Sequence, residues 1–144
     1  QNYTHTNLFV LDAGSDEISK AIREYRETNF SSNIHFFKNF SPDDYASILN
    51  NSKMIIGNSS SGIREGSFLG VPCINIGNRQ SNREHSVNVM NASCQRDQIL
   101  SCIDMQYKHG RYKQSSLFGK GDAGKQMANI LAEIEPNIIK TLHY

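Results

Sequence analysis

No stretch of this sequence is apolar for long enough to cross a bilayer, which argues against a helical membrane span. No block of like charge stands out either. Fifteen basic and 14 acidic residues leave a formal net charge of +1. That argues against a nucleic-acid partner held by bulk electrostatics, and leaves room only for a small local basic site. Cysteine is scarce. Cys73, Cys94 and Cys102 lie in or beside apolar segments without metal-like spacing. An odd set of this kind reads as reduced, packed thiols of a cytoplasmic protein. His5, His35, His85, His109 and His143 are scattered, with no pair at ligand spacing, so neither a metal nor a cofactor is expected. No repeat, linker or low-complexity segment interrupts the chain. No signal peptide is visible, and the sequence opens on Gln1 rather than methionine. A piece of something longer is the expectation.

What is present suits one domain with a genuine core, since the chain has 144 residues. Short apolar runs alternate with helical patterns. Leu8 to Leu11, Ile34 to Phe37, Met54 to Gly57 and Cys73 to Ile76 read as strands, and Val87 to Val89 as a short fifth. Ser15 is expected to cap a helix whose buried face is Ile18, Ala21, Ile22 and Tyr25. Ser41 caps the next, with Pro42 at its first position. Gln95 to Tyr107 reads as a helix with Ile99, Cys102 and Ile103 inward. A last helix carries Met127, Ile130, Leu131 and Ile134 on one face, and Pro136 interrupts it. Strands apolar on both faces, alternating with helices, imply an α/β fold: a parallel, Rossmann-like sheet with helices on both faces. Ligands of such sheets bind beyond the carboxyl ends of the strands. Three polar loops fall there, Asp12 to Ser15, Asn58 to Gly62 and Gly77 to Glu84, and are expected to form one site.

The most telling of these is Asn58-Ser59-Ser60-Ser61-Gly62, between a strand and a short helix. Free backbone N–H groups, serine hydroxyls and the helix dipole there all favour an anion, with nucleotide phosphates the obvious candidate. A plain helix cap is an equally good reading of the same residues. Glu65, on the following helix, could accept both hydroxyls of a ribose or be a dipole-favoured surface glutamate. Arg79 and Arg83 with Glu84 could bind phosphate or form local ion pairs. Gly119 to Gln126 nearly matches a Walker phosphate loop. Gln126 stands where serine or threonine should hold magnesium, and Gln114 to Phe118 makes a poor buried strand. The match reads as a decoy.

Several of these segments together resemble UDP-N-acetylglucosamine 2-epimerases. The carriers are Gly57 to Glu65, Gly70-Val71-Pro72, Asn75 to Gln80 and Arg83-Glu84, with Asp12 to Ser15 and Phe118 to Ala123 as further motifs. The loop Arg79-Gln80 … Arg83-Glu84 points to the hydrolysing, sialic-acid-pathway branch. The resemblance implies a glycosyltransferase-B architecture, of which residues 1–144 would be the carboxyl-terminal, UDP-binding domain. The amino-terminal catalytic domain would be absent from this chain. It implies a UDP-sugar as partner, UDP-N-acetylglucosamine or a relative, and a homo-oligomer for the full-length enzyme. Ser59 and Ser60 would hold the diphosphate, Glu65 the ribose, and Arg79 a further polar group of UDP. Phe40 would pack near the uracil. Ser61, Gly62, Asp12, Arg83 and Glu84 are additional candidates. No catalytic residue is expected here, because the family's acidic residues and histidine lie upstream of Gln1. The chain also departs from the family at Val10, where an asparagine is usual, and at Phe118, where a tyrosine is usual. A free-standing nucleotide-binding or regulatory module without catalysis is the alternative. A receiver-like signalling domain is disfavoured, since no acidic pair ends the first strand.

Overall fold

The computed structural model describes residues 8–11, 16–29 and 33–135. The chain divides into two compact units, Gln1–Ile48 and Leu49–Tyr144. In the first, β1 (Leu8–Leu11) and β2 (Ile34–Phe37) pair in parallel, in register from Leu8 opposite Ile34 to Leu11 opposite Phe37. The crossover is α1 (Asp16–Thr28). Its Arg26 guanidinium lies 5.2 Å from the centre of the Phe36 ring, a cation–π contact. The apolar face expected on α1 is only partly covered: Ile22 is half-buried, while Ala21 and Tyr25 are exposed. A two-stranded sheet is too narrow to cover a whole helix stripe. The Ser15 cap, Pro136 and the tail beyond it lie outside the described residues.

The second helix, α2 (Pro42–Asn51), starts as its sequence dictates. The Ser41 Oγ accepts from the Asp44 backbone N–H at 3.2 Å and donates to the Asp44 carboxylate at 2.7 Å. Pro42 fits the first turn, where its missing N–H has no intrahelical partner anyway.

The second unit holds a three-stranded parallel sheet in the order β3 (Ile55–Gly57), β4 (Cys73–Ile76), β5 (Val89–Ala92). Strand period sorts its side chains onto two faces. Cys73 and Val89 pack with Ile55 beneath Ile63 of α3 (Ser60–Ile63). Ile74 and Ala92, with Ile76 and Met90, pack against Ile99, Cys102 and Ile103 of α5 (Arg96–His109). Helices thus cover both faces, and the α/β, Rossmann-like class expected from the sequence holds.

The third strand starts at Ile55 rather than Met54, and three further details differ from the expectation. The fifth strand starts at Val89, not Val87, whose side chain is 76% exposed. The single helix after the serine turn is two: α3 and α4 (Glu65–Leu69), separated at Arg64. The helix expected from Gln95 begins one residue later, with Gln95 as its cap, and runs on to His109. Gly70 ends α4 in the left-handed conformation, φ 69°. A Cβ there would stand 2.2 Å from the Tyr112 carbonyl oxygen, so only glycine fits. The last described helix is α6 (Ala123–Glu133).

Candidate functional site

The carboxyl ends of β3 and β4 open into the two loops that the sequence singles out, and one buried side chain ties them together. Gln80, in the loop after β4, donates from Nε2 to the Asn58 carbonyl oxygen at 2.9 Å. Its neighbours Arg79 and Ser81 are exposed, whereas Gln80 itself is 4% exposed. The third expected loop, with Asp12, lies outside the described residues.

The serine turn is a genuine helix start. Ser59 caps α3: its Oγ accepts from the Ser61 N–H at 3.3 Å and lies 3.0 Å from the Ser61 Oγ. The capping reading is therefore realised. It satisfies one of the first-turn donors and leaves an anion-favouring dipole end in place. Gly62 sits where α3 touches the sheet. A Cβ at this position would stand 2.6 Å from the Cys73 Sγ, so the glycine lets the turn lie close on β4.

Buried amides hold α3 and α4 over the sheet. Asn88 donates from Nδ2 to the Val71 carbonyl at 2.8 Å and to the Gly62 carbonyl at 3.4 Å. Its Oδ1 accepts from the Ser67 hydroxyl at 2.8 Å, and that hydroxyl also contacts the Ile63 carbonyl. Gln106 on α5 donates to the Cys73 and Asn88 carbonyls at 3.0 and 2.9 Å and accepts from the Tyr112 hydroxyl at 2.8 Å. Sequence reading missed the anchoring roles of Asn88 and Gln106, and took Asn75 and Gln80 only as part of a motif. The available signal was an amide inside or beside an apolar run, as in Cys73-Ile74-Asn75-Ile76.

Charged candidates surround this scaffold. Glu65 opens α4 and is exposed. Arg79, Arg83 and Glu84 are exposed in the second loop and make no ion pair among the described residues. Phe40 belongs to the first unit, half-buried, with its ring 4.6 Å from Phe37 and 6.4 Å from Tyr45. A shallow cavity of about 520 Å³ lies at the carboxyl ends of β4 and β5, lined by Gly77, Asn78, Asn91, Ser93 and Cys94 among others. Another, of about 560 Å³, includes Lys53 and Arg111 in its lining. Burial pushes the Cys73 thiol up to about 12, so it is no nucleophile. Among the described residues no three His, Cys, Asp or Glu side chains gather as a metal site. The Walker-like run follows no strand: Gln114 to Ser116 have no regular structure, and α6 starts at Ala123 behind exposed glycines.

Comparison with known proteins gives this arrangement a family. The model described as UDP-N-acetylglucosamine 2-epimerase matches residues 3–132. A UDP-N-acetylglucosamine 2-epimerase of Neisseria meningitidis serogroup B is 29% identical over 111 residues, 77% of this chain and 28% of that one. A UDP-N,N'-diacetylbacillosamine 2-epimerase (hydrolyzing) of Legionella pneumophila is 29% identical over 135 residues, 90% of this chain and 35% of that one. A GDP/UDP-N,N'-diacetylbacillosamine 2-epimerase (hydrolyzing) of Campylobacter jejuni is 36% identical over 91 residues, 61% of this chain and 24% of that one. The chain spans about a quarter to a third of the length of these relatives. With a family match over nearly its whole length and a parallel α/β sheet presenting a serine turn at its carboxyl edge, the chain belongs to the UDP-N-acetylglucosamine 2-epimerase family.

Proposed function

We propose that this chain is the UDP-binding part of an enzyme that takes UDP-N-acetylglucosamine, or a related UDP-sugar, to N-acetylmannosamine or its analogue plus UDP. The setting would be sialic-acid-type sugar biosynthesis in the cytoplasm, by a homo-oligomer. One observation carries the reading: the serine turn and the arginine loop are joined by Gln80 at the carboxyl edge of one parallel sheet. Two of the three relatives named above are hydrolysing enzymes, which favours release of UDP over its retention.

In such a reaction the proton on sugar carbon 2 leaves as UDP departs from carbon 1, and water then adds with inversion at carbon 2. Negative charge develops on the departing phosphate oxygen. Ser59 and Ser60, with the α3 backbone N–H groups, would stabilise that charge, and Arg79 would add a cation. Glu65 would accept the ribose hydroxyls. Ser61, Gly62, Arg83, Glu84 and Asp12 remain additional candidates, and Phe40 is assigned to the uracil by the family resemblance alone. The family resemblance gives none of these groups the removal of the carbon-bound proton, so general acid–base work is assigned outside this chain.

Calorimetry with UDP, UMP and uridine tests the reading. Affinity should fall in that order, because each phosphate adds contacts to the turn. Replacing Ser59 and Ser60 by alanine should cost about 1–3 kcal/mol of UDP binding, the range for hydrogen bonds to charged groups. Equal affinity for UDP and uridine would remove the phosphate assignment. Binding with no conversion by any longer form of the protein would favour the regulatory-module alternative.

A further inference from the structure

The shallow cavity at the carboxyl ends of β4 and β5 differs in character from the loops beside it. Its volume, about 520 Å³, falls in the range of small-ligand sites. Among the described residues no charged and no aromatic side chain lines it. Its polar lining comes from Asn78, Asn91, Ser93, Cys94 and Gln98, all exposed. Such walls suit a neutral group that makes hydrogen bonds. A phosphate is better served by cations, and a nucleobase by an aromatic face on which to stack.

Strand register places this cavity next to the serine turn. Gly57, Asn75 and Asn91 stand opposite one another on β3, β4 and β5. Asn58 and Ser59 follow Gly57 directly, and Gly77 extends β4 by donating its N–H to the Ala92 carbonyl at 2.8 Å. Neighbouring strands lie about 4.8 Å apart, so the cavity is about 5–10 Å along the sheet edge from the root of the turn. A sugar ring joined to a diphosphate through one oxygen reaches that far. The polarity of one wall is fixed as well. The Ser93 backbone N–H can only donate, so Gln98 presents Oε1 to it, at 2.9 Å, and the Ser93 hydroxyl donates to the same oxygen. Gln98 keeps its amide N–H groups, and Ser93 Oγ keeps its lone pairs, for a ligand.

We propose that this cavity is the sugar subsite: it takes the hydroxyl and acylamino groups of the nucleotide sugar whose diphosphate lies on the serine turn, with Asn78, Ser93 and Gln98 as its hydrogen-bonding residues. This inference rests on the nucleotide-sugar reading above. It adds the segment after β5, which carries none of the motifs singled out in the sequence. Cys94 reports on the subsite from inside it. A Cβ on Gly77 would stand 3.6 Å from the Cys94 Sγ, so the thiol lies over the glycine from which the arginine loop departs.

The test is alkylation of the 144-residue chain by iodoacetamide, with Cys94 modification followed by peptide mass spectrometry and Kd values taken from calorimetry. Cys94 is exposed, whereas Cys73 and Cys102 are buried. UDP-N-acetylglucosamine at about ten times its Kd should slow Cys94 modification about tenfold, and UDP at the same multiple of its own Kd should leave the rate nearly unchanged. Equal slowing by UDP overturns the inference, because the nucleotide rather than the sugar would cover the cavity. No slowing by bound UDP-N-acetylglucosamine overturns it too and leaves the diphosphate reading standing. A chain that binds neither compound rejects that reading and this inference with it. A second measurement uses Cys94→Trp, which fills the cavity from an exposed position. It should weaken UDP-N-acetylglucosamine about tenfold and UDP less than about twofold. An equal loss for both compounds, or no loss for either, overturns the proposal.

Discussion

Cys73 lies beneath the serine turn, and its thiol reports on how tightly the turn is seated. Its Sγ fills the space that a Cβ on Gly62 would need, and Ile55 closes the other side at 3.0 Å. Gly62→Ala should therefore destabilise the chain by about 1–3 kcal/mol, the usual cost of overpacking, read as a lower urea midpoint at unchanged slope. Burial raises the Cys73 thiol from 9.0 to about 12 and also raises the Tyr112 hydroxyl. Both groups are neutral when protonated, so the folded state holds its proton where the unfolded chain has released it. Their contribution is complete below about pH 9 and is lost as pH rises toward 12. Stability should fall across that window, and Cys73→Val should flatten the fall, measured by denaturation at a series of alkaline pH values. At pH 8 a thiol reagent should modify Cys94, which is exposed, and spare buried Cys73 and Cys102. Rapid labelling of Cys73 in the native chain would show that the turn does not seat as described.

At the scale of elements, the serine turn is held by amides rather than by propensity. α3 has four residues and α4 five, too few to be stable alone, so their position must come from tertiary contacts. Asn88 supplies them, linking Gly62, Ser67 and Val71 within one buried cluster. Asn88→Ala would take the Nδ2 donor from the buried Val71 and Gly62 carbonyls and one acceptor from the Ser67 hydroxyl, and should cost about 2–4 kcal/mol, with UDP affinity falling alongside stability. Full UDP affinity in a folded Asn88→Ala chain would mean that the turn does not depend on this anchor. These links explain what could be read beforehand. Four strands were legible because each is an apolar run bounded by glycine, proline or polar residues, and the Ser41-Pro42 start of α2 is a local code. The serine turn and arginine loop could be placed together because alternation of strands and helices puts them at one sheet edge. The amide partners could not be read, since Asn88 meets Ser67 across 21 positions and Gln106 meets Cys73 across 33. β5 was misplaced because Val87-Asn88-Val89 alternates like a strand, yet its pairing partners are Cys73 to Ile76, reached only from Val89 onward. The break at Arg64 has no signature in the helical period of its neighbours.

At the scale of the whole molecule, the chain displays what it would need to have covered. Met127, Ile130 and Leu131 stand on α6 and Ile134 caps its end, each more than half exposed. An apolar stripe of this kind is a surface for another polypeptide or for self-association. The 144-residue chain should therefore bind a hydrophobic dye or self-associate in light scattering, and Ile130→Lys with Leu131→Glu should reduce both without altering UDP affinity. A monodisperse, dye-free chain would count against that reading. Elimination of UDP requires a base at sugar carbon 2 together with stabilisation of the leaving oxygen. The described carboxylates in the loops and helices after β3 and β4 include Glu65 and Glu84, and both are exposed. On the proposed reading the donors of the serine turn would serve the departing diphosphate, not a carbon–hydrogen bond. The chain should consequently bind UDP-N-acetylglucosamine without turning it over, while a longer polypeptide of the relatives' length should release UDP and N-acetylmannosamine. A coupled UDP-release assay, with the sugar product identified by NMR, decides between the outcomes. Turnover by the 144-residue chain would place the base among its own residues. Epimerisation by the longer polypeptide with UDP still on the sugar would assign the non-hydrolysing outcome, in which the turn must hold the diphosphate through both halves of the reaction rather than let it go.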